Sequence, residues 1–466
     1  MIARNLRLLS AGTALLLIEL GLLAIAWPLA AGLALSPLPP ERRAGVLPLG
    51  LFIAFYLVFA YATGLYRREA LLETRRSLGR VPIAAGLGAL AAAAPAAFLP
   101  PPFAAEGSAT LFAAALILVS LVGWAARVLM FALIDRGAFR RRILVIGAGE
   151  RAWELAFLLR REGRAVGMEI TFVHHPALGG IDPRLQEDPE ARIVTTDDGF
   201  VAIACEIDAD QVVVAPDERR GMPMEALLAC RTGGFPVYEF QRFLEKEIGR
   251  VDMKRLDYSW LLYADGFTFT AVDLFLKRAL DIAVSTVVLF LTMPILVGAA
   301  IAIKLVDGGP ILYRQARVTK DGRVFKILKL RTMRQDAERT GAVWAQKGDP
   351  RVTPIGRFLR RMRIDELPQL VNILMGDMSF VGPRPERPEF VHDLAEKLPL
   401  YNERHLVRAG LTGWAQINYP YGASLDDARS KLSYDLFYVK NFSVLFDVLI
   451  IIQTLRVVLW PGGSVR

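Results

Sequence analysis

The sequence predicts a membrane protein in three parts: four transmembrane helices, a Rossmann-like α/β domain, and a mainly helical domain that dips into the membrane. Three observations predict this fold class. Four long apolar runs open the chain, short β-rich runs alternate with helical stretches in the middle, and a fifth apolar run precedes a charged segment rich in Gly and Pro. The expected boundaries are 1–135, 142–250, a connector at 251–270, and 271–466.

The composition agrees with a membrane protein that carries soluble parts. Hydrophobic residues make up 53% of the 466 residues and charged residues 22%, and the apolar excess sits in a few runs. The net charge of +9 fits basic membrane flanks or a site for phosphate-bearing substrates. We predict no nucleic acid partner, because no basic helix or aromatic stacking platform stands out. Cys205 and Cys230 lack the spacing of a zinc site or a disulfide framework.

Each of the first four apolar runs is about as long as the ~20 residues that a spanning helix needs. The runs are Leu8–Leu35, Gly45–Tyr66, Val81–Pro101 and Thr110–Ile134. Arginines are dense between the second and third runs and after the fourth, which predicts that both segments and the N-terminus lie in the cytoplasm. Arg42 and Arg43, in the first outer loop, count against this orientation.

The middle domain alternates strands and helices, which predicts a parallel sheet with crossover helices. The expected strands are Ile143–Ile146, Ile170–Val173, Arg192–Val194, Gln211–Ala215 and Pro236–Phe240. The segment Gly147-Ala148-Gly149-Glu150-Arg151-Ala152 matches a dinucleotide fingerprint, but His174-His175-Pro176 stands where the confirming acid should be. A structural or regulatory domain is therefore favoured over an NAD-binding one.

The fifth apolar run, Ile282–Ile303, has an unusual charge pattern for a spanning helix. Basic residues flank it on both sides: Lys277 and Arg278 before it, and Lys304, Arg314 and Arg317 after it. A helix that enters the membrane, breaks at Pro294 and returns to the same face resolves this conflict with the positive-inside rule. The alternative is a plain span with a proline kink. A last run, Val444–Trp460, resembles a helix lying in the interface.

The charged segment between these two apolar runs contains the candidate catalytic and substrate-binding residues. Residues 325–333 alternate as a strand would, with Lys329 and Arg331 on one face, which suits a diphosphate, although a solvated basic strand is the commoner explanation. Pro368 predicts a helix that starts near Asp365 and runs to Gly376. Asp365 and Glu366 then lie at a helix N-terminus, where an Asp alone is usually a cap.

The neighbours of this carboxylate pair favour phosphoryl chemistry. An Asp can attack phosphorus and form an aspartyl phosphate, and a second carboxylate can help to hold Mg²⁺. The proline-rich loop 382–388 would hold Arg384 in a fixed direction. Clustered Arg and Lys side chains supply the charge neutralisation that phosphoryl transfer needs.

Taken together, these motifs resemble the bacterial sugar transferase family, the polyprenol-phosphate hexose-1-phosphate transferases. The segments that carry the resemblance are Lys277-Arg278-Ala279-Leu280-Asp281, Asp307-Gly308-Gly309-Pro310, Lys329-Leu330-Arg331-Thr332-Met333, Asp365-Glu366-Leu367-Pro368-Gln369 and Gly382-Pro383-Arg384-Pro385. The resemblance covers 271–466. The N-terminal spans and the Rossmann-like domain resemble the long members of the family, and the connector Ser259-Trp260-Leu261 resembles members from exopolysaccharide clusters.

The resemblance implies roles for particular residues. Asp365 is the expected nucleophile, Glu366 its Mg²⁺ partner, and Arg384 a phosphate ligand. The re-entrant helix falls on 281–303 with its kink at Pro294, and Lys277 and Arg278 are expected near lipid headgroups. Further substrate-binding roles are expected for Gln315, Arg317, Lys329, Arg331 and Arg363. Thr319 replaces a Gly that is frequent in the family, which touches only local turn geometry.

The function implied is transfer of a hexose-1-phosphate from a UDP-sugar to undecaprenyl phosphate, with release of UMP, in the first membrane step of exopolysaccharide, capsule or O-antigen synthesis. The expected cofactor is Mg²⁺. The expected location is the bacterial cytoplasmic membrane, with the bilayer and downstream glycosyltransferases as partners and a homodimer left open. Two alternatives are an NAD-dependent nucleotide-sugar oxidoreductase or dehydratase and a non-catalytic assembly scaffold. The sequence leaves the identity of the sugar open.

Overall fold

A computed structural model describes residues 11–35, 47–66, 70, 74–96, 108–137, 139–165, 167–197, 199–218, 221–253, 266–267, 269–334, 351–419, 422 and 424–459. The chain divides into two compact units, Met1–Ile248 and Gly249–Arg466. The Ser259-Trp260-Leu261 segment of the expected connector lies outside the described residues.

The first unit opens with four apolar helices at the positions of the four predicted runs. They are α1 (Ala11–Leu35), α2 (Leu47–Ala62), α3 (Thr74–Ala96) and α4 (Ser108–Asp135). They share an apolar core that includes Phe52, Tyr56, Val81 and Val119. Among the described helices of this unit, only the segment Ala113–Asp135 of α4 is long and apolar enough by itself to cross a membrane. The four-span topology therefore stays a prediction.

A charged cluster is buried within this apolar bundle. Glu19 of α1 is fully buried, and Arg127 of α4 donates from Nη1 to Glu19 Oε1 over 3.0 Å. The Tyr66 hydroxyl donates to Glu19 Oε2 over 2.6 Å, and Tyr56 of α2 donates to Oε1. Burying an isolated carboxylate in an apolar bundle costs much free energy. The three donors to Glu19, one of them the cation Arg127, offset that cost.

The rest of the first unit is a five-stranded parallel sheet with helices on both faces. The strands are β1 (Arg141–Ile146), β2 (Met168–His174), β3 (Arg192–Thr195), β4 (Gln211–Val214) and β5 (Val237–Glu239), in the order β3-β2-β1-β4-β5. The helices are α5 (Glu150–Arg161), α6 (Pro183–Gln186), α7 (Phe200–Glu206), α8 (Met224–Thr232) and α9 (Phe240–Ile248). The parallel pairing of all neighbouring strands confirms the predicted parallel sheet.

Alternation along β1 explains why both faces are covered. Ile143 and Val145 pack against one set of helices, which includes α5 and α9, whereas Leu144 and Ile146 pack against α7 and α8. Successive side chains of a strand point to opposite faces, so a strand buried on both sides reads as a continuous apolar run. That run is the signal that made β1 predictable.

The second unit mixes helices with two small sheets. Its helices are α10 (Ala271–Asp307), α11 (Pro354–Arg361), α12 (Gln369–Met375), α13 (Pro388–Lys397), α14 (Trp414–Asn418), α15 (Leu425–Lys440) and α16 (Val444–Leu459). The strands β6 (Leu312–Val318) and β7 (Val324–Leu330) form an antiparallel hairpin, and β8 (Ser379–Val381) pairs in parallel with β9 (Gly410–Thr412). Helix α12 packs against α10 and β7, which brings the hairpin and the long helix together.

Helix α10 contains Pro294 and runs without interruption through 37 residues. The chain is helical on both sides of the proline, and the bend at Pro294 that a return to the same membrane face requires stays a prediction. Thr292 Oγ1 donates to Val288 O over 2.7 Å, an intrahelical bond that often accompanies helix bending. A capping box formed by Thr270 and Asp273 fixes the start of the helix, and Gly308 in the left-handed conformation ends it.

The basic residues before the apolar stretch of α10 bind protein groups. Lys277 is buried, donates to Val381 O over 2.8 Å and pairs with Asp447 of α16 at 2.7 Å. Arg278 donates to Ile373 O and Leu374 O over 2.6 and 2.7 Å, so it satisfies the last carbonyls of α12. The Lys277 ammonium is thus paired inside the protein, and the expected place of Lys277 and Arg278 near lipid headgroups stays a prediction.

Candidate active site

The β6–β7 hairpin directs one face of each strand towards a charged cluster. Tyr313, Gln315 and Arg317 alternate with exposed residues along β6, and Tyr313 lies opposite Lys329 of β7. Gln315 Oε1 accepts from Arg317 Nη2 and Nε over 2.6 and 3.1 Å. Gln315 therefore orients the guanidinium of Arg317, whose Nη1 donates to Pro385 O over 2.9 Å.

The carboxylate pair lies in a 3₁₀ turn, Ile364–Glu366, that leads through Pro368 into α12. The helical segment ends at Gly376 in the left-handed conformation, as the sequence predicts. Arg363 begins the turn with φ +56°, a left-handed conformation that costs a non-glycine residue about 1 kcal/mol. This strained residue immediately precedes the two acids and sets the direction in which the turn presents them.

Glu366 is surrounded by three cations from three different elements. Arg384 Nη2 lies 2.9 Å from Glu366 Oε1, Lys329 Nζ lies 3.7 Å from the same oxygen, and Arg363 Nη1 lies 3.2 Å from Oε2. Burial alone would raise the pKa of Glu366, but the combined attraction of these cations outweighs it and lowers the pKa well below its usual range. Glu366 is therefore a permanent anion that gathers the cations.

Asp365 beside it has the opposite electrostatic environment. Its side chain is buried, and burial together with the adjacent Glu366 raises its pKa, against the opposing attraction of Lys329 and Arg360. Two neighbouring carboxylates whose pKa values are pushed apart divide into two roles. Glu366 serves as the fixed negative charge. The anionic form of Asp365 is less stabilised, so Asp365 is the more basic of the two carboxylates.

The loop that follows β8 carries Arg384 and is held from three sides. Gly382 N donates to Thr412 O over 2.9 Å, Arg404 Nη2 donates to Arg384 O over 2.9 Å, and Val318 N donates to Glu386 O over 3.0 Å. A Cβ on Gly382 would meet Arg408 O at 2.3 Å, so the close approach of the two backbones requires glycine there. The loop thus holds Arg384 with its side chain on Glu366.

The contacts divide the predicted site residues into two groups. Lys329, Arg363 and Arg384 contact Glu366 directly, whereas Gln315 and Arg317 join the cluster through Pro385 and Glu386. Arg331 is buried at the base of the hairpin, where its backbone N–H donates to Ile311 O over 2.8 Å. The roles of all these residues in binding or catalysis stay predictions.

Four further residues position the site and were not singled out from the sequence: Arg360, Asn372, Arg404 and Asp435. Asn372 Oδ1 accepts from Leu328 N over 2.9 Å and its Nδ2 donates to Lys326 O over 3.0 Å, which fixes α12 to the strand that carries Lys329. Arg404 Nη2 pairs with the buried Asp435 at 2.7 Å. A lone acid on the apolar face of α15, beside Leu432 and Leu436, was the available signal for Asp435.

The donor set fits a magnesium ion that is shared with substrate. The described residues contain no group of three or more His, Cys, Asp or Glu side chains that could hold a metal. Mg²⁺ usually takes one or two protein carboxylates and completes its shell with water and substrate phosphates. Asp365 and Glu366 supply two adjacent carboxylates, the number that this pattern needs, and a bound ion would share the Glu366 carboxylate with Arg384, Lys329 and Arg363.

The glycine loop of the Rossmann-like domain is occupied by a side chain of the protein itself. Asp217, in the loop after β4, accepts from Glu150 N and Arg151 N over 2.8 and 2.9 Å, at the N-terminus of α5. A dinucleotide would place its pyrophosphate at these N–H groups. A Cβ on Gly149 would meet Asp217 Oδ2 at 1.8 Å. The Asp217 carboxylate therefore fills the phosphate position and counts against the NAD-dependent alternative.

Replacing Asp217 by alanine should lower the free energy of unfolding of the protein by about 1 kcal/mol, because two N–H groups at a helix start lose their acceptor. Thermal unfolding of the purified full-length protein measures this change, with Glu206→Ala as a control at an exposed position. The wild-type protein should show no saturable binding in a calorimetric NAD titration. Micromolar NAD binding by the wild type would contradict this assignment of the loop.

Known proteins resemble the second unit and part of the first. The bacterial sugar transferase family matches residues 272–461. A UDP-N-acetylgalactosamine-undecaprenyl-phosphate N-acetylgalactosaminephosphotransferase from Aeromonas hydrophila is 40% identical over 261 residues, 56% of this chain and 61% of that protein. A UDP-glucose:undecaprenyl-phosphate glucose-1-phosphate transferase from Caulobacter vibrioides is 42% identical over 186 residues, 40% of this chain and 69% of that protein.

A shorter relative is covered almost completely. An exopolysaccharide production protein from Rhizobium leguminosarum biovar phaseoli is 41% identical over 195 residues, 39% of this chain and 94% of that protein. The chain spans only 61% of the Aeromonas protein, so the similarity to that relative is partial. The residues that the family matches include the hairpin, the carboxylate pair and the Arg384 loop. The family predicted from the motifs is confirmed, and the chain belongs to the bacterial sugar transferase family.

Proposed function

We propose that the protein transfers a hexose-1-phosphate from a UDP-sugar to undecaprenyl phosphate, releasing UMP through a covalent aspartyl-phosphosugar intermediate. The observation that carries the proposal is the carboxylate pair, in which Glu366 holds three cations and Asp365 is left as the more basic neighbour. The names of the Aeromonas and Caulobacter relatives support the donor and the acceptor.

In the first step, an Asp365 carboxylate oxygen attacks the sugar-bearing phosphorus of the UDP-sugar. The new bond joins Asp365 to that phosphorus, the bond to the oxygen of UMP breaks, and UMP leaves with the electron pair. Charge builds up on the phosphate oxygens, where fixed cations stabilise the transition state most. Arg384 and Lys329, which both contact Glu366, support this proposed role.

In the second step, a phosphate oxygen of undecaprenyl phosphate attacks the same phosphorus and the bond to Asp365 breaks. The product is a polyprenyl diphosphosugar, and Asp365 is restored as a carboxylate. The two steps share one site, so the donor product must leave before the lipid reacts. This order predicts ping-pong kinetics.

The long helix α10 supports a site at the membrane surface. Its middle exposes large apolar side chains, including Phe290 at 78% and Leu291 at 67% of their maximal area. Its N-terminal part is bound to α12 through Arg278, and its C-terminal part packs with Leu330, Leu359 and Ile364 around Ile303. Both ends of α10 therefore contact the same compact unit. This supports a helix that enters and leaves the membrane on the same face.

The finer location follows from the same proposal. The chain would be a multi-pass protein of the bacterial cytoplasmic membrane, with the catalytic domain on the cytoplasmic face where nucleotide sugars are made. The first membrane step of exopolysaccharide, capsule or O-antigen synthesis is the place that fits such an enzyme, with later glycosyltransferases acting on its product. The name of the Rhizobium relative supports the exopolysaccharide case.

Asp365 and Glu366 would together hold Mg²⁺ with the substrate phosphates. When bound, the ion neutralises phosphate charge in a way that side chains alone achieve less fully. The protein's own contribution is orientation: Arg363 fixes the turn, and Asn372 fixes its helix to the strand of Lys329.

The proposal is tested with detergent-solubilised full-length protein, MgCl₂, undecaprenyl phosphate and a panel of UDP-sugars. Chromatography of the nucleotide products should show UMP with at least one donor. Release of UDP in place of UMP would indicate ordinary glycosyl transfer and would reject the proposed reaction.

Lys329 should give the reaction an alkaline limit. Burial lowers the pKa of Lys329 to about 8, with Arg384 and Arg317 adding repulsion and Glu366 opposing them. The protonated form is the one that binds phosphate, so kcat/KM for the UDP-sugar should fall as the pH rises through about 8. Lys329→Arg keeps the charge at every accessible pH and should remove this limb. If kcat/KM of Lys329→Arg still fell at the same alkaline pH, the titrating group would be a residue other than Lys329.

A further inference from the structure

The chain between the two acids and Arg384 folds back on itself. It runs along α12 (Gln369–Met375), turns through residues 376–378, and returns along β8 (Ser379–Val381) into the Arg384 loop. Glu366 precedes the helix and Arg384 follows the strand, yet their side chains meet at 2.9 Å. The position of β8 along α12, against which it packs, therefore decides whether Arg384 reaches Glu366.

A small shift of β8 would separate these two side chains. Successive residues of a strand advance by about 3.3 Å, and a slip of one residue also turns every side chain to the opposite face. Strand β8 has three residues and pairs with β9 (Gly410–Thr412), which has three as well. A pair of strands this short gives little stability by itself, so other contacts must help to fix the register.

The first turns of α10 supply contacts to all three residues of β8. Asp281 Oδ1 accepts from Ser379 Oγ and from Phe380 N, both over 2.9 Å. Lys277, one turn earlier, donates from Nζ to Val381 O over 2.8 Å. Residues four apart lie on the same face of a helix, so Lys277 and Asp281 together form one surface that binds the strand.

The same turns of α10 also bind the end of α12. Arg278 donates from Nη1 to Ile373 O and from Nη2 to Leu374 O, over 2.6 and 2.7 Å. Three neighbouring side chains of one helix therefore hold both the helix that follows the acids and the strand that precedes Arg384. The relative position of the two parts of the candidate site depends on these contacts.

The polar groups of this contact are buried, which is an expensive way to join two elements. Lys277 is 7% exposed and Asp281 1%, and the Lys277 ammonium also lies 2.7 Å from the fully buried Asp447 of α16. One ammonium thus serves two carboxylates, at 2.7 and 3.7 Å. Apolar side chains of similar size often stabilise a fold as well as a buried ion pair does, and the best-attested use of such a pair is to specify register.

We propose that Lys277, Arg278 and Asp281 are positioning residues that hold Arg384 against Glu366 and so align the two parts of the phosphate site. They act on the site through β8 and α12. This inference rests on the proposed function and deepens it, because it gives the first turns of α10 a task in the reaction that is separate from contact with the membrane.

The test compares Asp281→Ala with Asp281→Asn in the detergent-solubilised full-length protein, with the best donor of the UDP-sugar panel. Alanine removes the acceptor of Ser379 Oγ and Phe380 N, and kcat/KM should fall on the order of 10²-fold, the effect of a displacement of about 1 Å. Asparagine keeps a side-chain oxygen for both donors and is the matched control, with kcat/KM within about fivefold of the wild-type value.

A double-mutant cycle with Arg384→Ala separates positioning from a general loss of structure. If Asp281 acts by placing Arg384, the loss caused by Asp281→Ala should shrink to about threefold or less in the Arg384→Ala background, because the group to be placed is gone. An equal loss in the two backgrounds would overturn the proposal. Wild-type kcat/KM in a folded Asp281→Ala protein would do the same.

Hydrogen exchange provides a readout that does not depend on activity. The amides of residues 379–388 should exchange about tenfold faster in Asp281→Ala than in Asp281→Asn, whereas the amides of β2 in the other unit should not change. Equal exchange of residues 379–388 in the two variants would reject the positioning role. A wild-type protein that releases no UMP from any donor would reject the proposed function, while the exchange experiment would still decide the positioning role.

A second variant covers the case in which Asp281→Ala does not fold. Arg278→Met removes the two hydrogen bonds to the end of α12 and keeps an unbranched side chain that favours helix. It should lower kcat/KM by a similar factor, and this loss should also shrink in the Arg384→Ala background. A loss of the same size in both backgrounds would count against the proposal here as well.

Discussion

The Asp365→Asn protein should release UMP from a UDP-sugar on the order of 10⁴-fold more slowly than the wild-type protein. Asparagine has nearly the same shape as aspartate, so the buried side chain can keep its place in the 3₁₀ turn. The amide oxygen is a very poor nucleophile, and no aspartyl-phosphosugar can form. Removing the negative charge also removes repulsion on Glu366, so the fold should tolerate the change.

The covalent step gives this variant a second readout. Wild-type protein incubated with a UDP-sugar and Mg²⁺ but without lipid should gain the mass of one hexose phosphate, and undecaprenyl phosphate should remove it. Asp365→Asn should gain nothing. Asp393→Asn, at an exposed carboxylate of α13, is the control and should behave as the wild type does. Substantial turnover by Asp365→Asn would reject the covalent mechanism while leaving the overall reaction open.

The Glu366→Gln protein should lose about 10²- to 10³-fold in kcat/KM. Glutamine is neutral and cannot balance Arg384, Lys329 and Arg363, all of which contact the Glu366 carboxylate. The three cations then repel one another and move away from the positions that would neutralise the donor phosphates. The loss should therefore appear mainly in kcat/KM.

A pH profile separates this explanation from a general loss of structure. Glu366 favours the protonated form of Lys329. Without that carboxylate the pKa of Lys329 falls below its value of about 8, so the alkaline limb of residual activity should move to lower pH. Glu389→Gln, an exposed acid of α13, should leave the profile unchanged. A Glu366→Gln profile identical in shape to that of the wild type would contradict the cation-gathering role.

Local patterns predicted the elements of the fold well. The parallel sheet follows from runs such as Ile143–Ile146, because a strand buried on both faces is continuously apolar. The helix end at Gly376 follows from the need for a left-handed residue there. Pro294 shows the limit of such rules: a proline removes one backbone hydrogen bond, yet the chain is helical on both sides of it.

The candidate site was predictable in its residue types and less so in its arrangement. Asp365, Glu366 and Arg384 stand out because acids and a proline-held arginine occur in a recognisable order. The Arg404–Asp435 pair joins residues 31 positions apart, and Asp217 reaches the start of α5 from 67 positions away. Nothing in a local window marks such contacts, because they depend on how distant elements pack. The same is true of Asn372, which belongs to no recognisable motif. Its hydrogen bond to the backbone of Leu328 fixes the strand of Lys329 relative to the two acids.

The Glu19–Arg127 ion pair constrains the order in which the N-terminal bundle can be assembled during synthesis. Arg127 is made 108 residues after Glu19, which corresponds to about 5 to 20 s at usual translation rates. Through that interval the first helix carries a carboxylate without its counter-charge, at a cost of about 3 kcal/mol if it were ionised inside a bilayer. If the four helices span the membrane as the sequence predicts, Glu19 of the first helix has to remain hydrated until the fourth helix supplies Arg127 as its counter-charge.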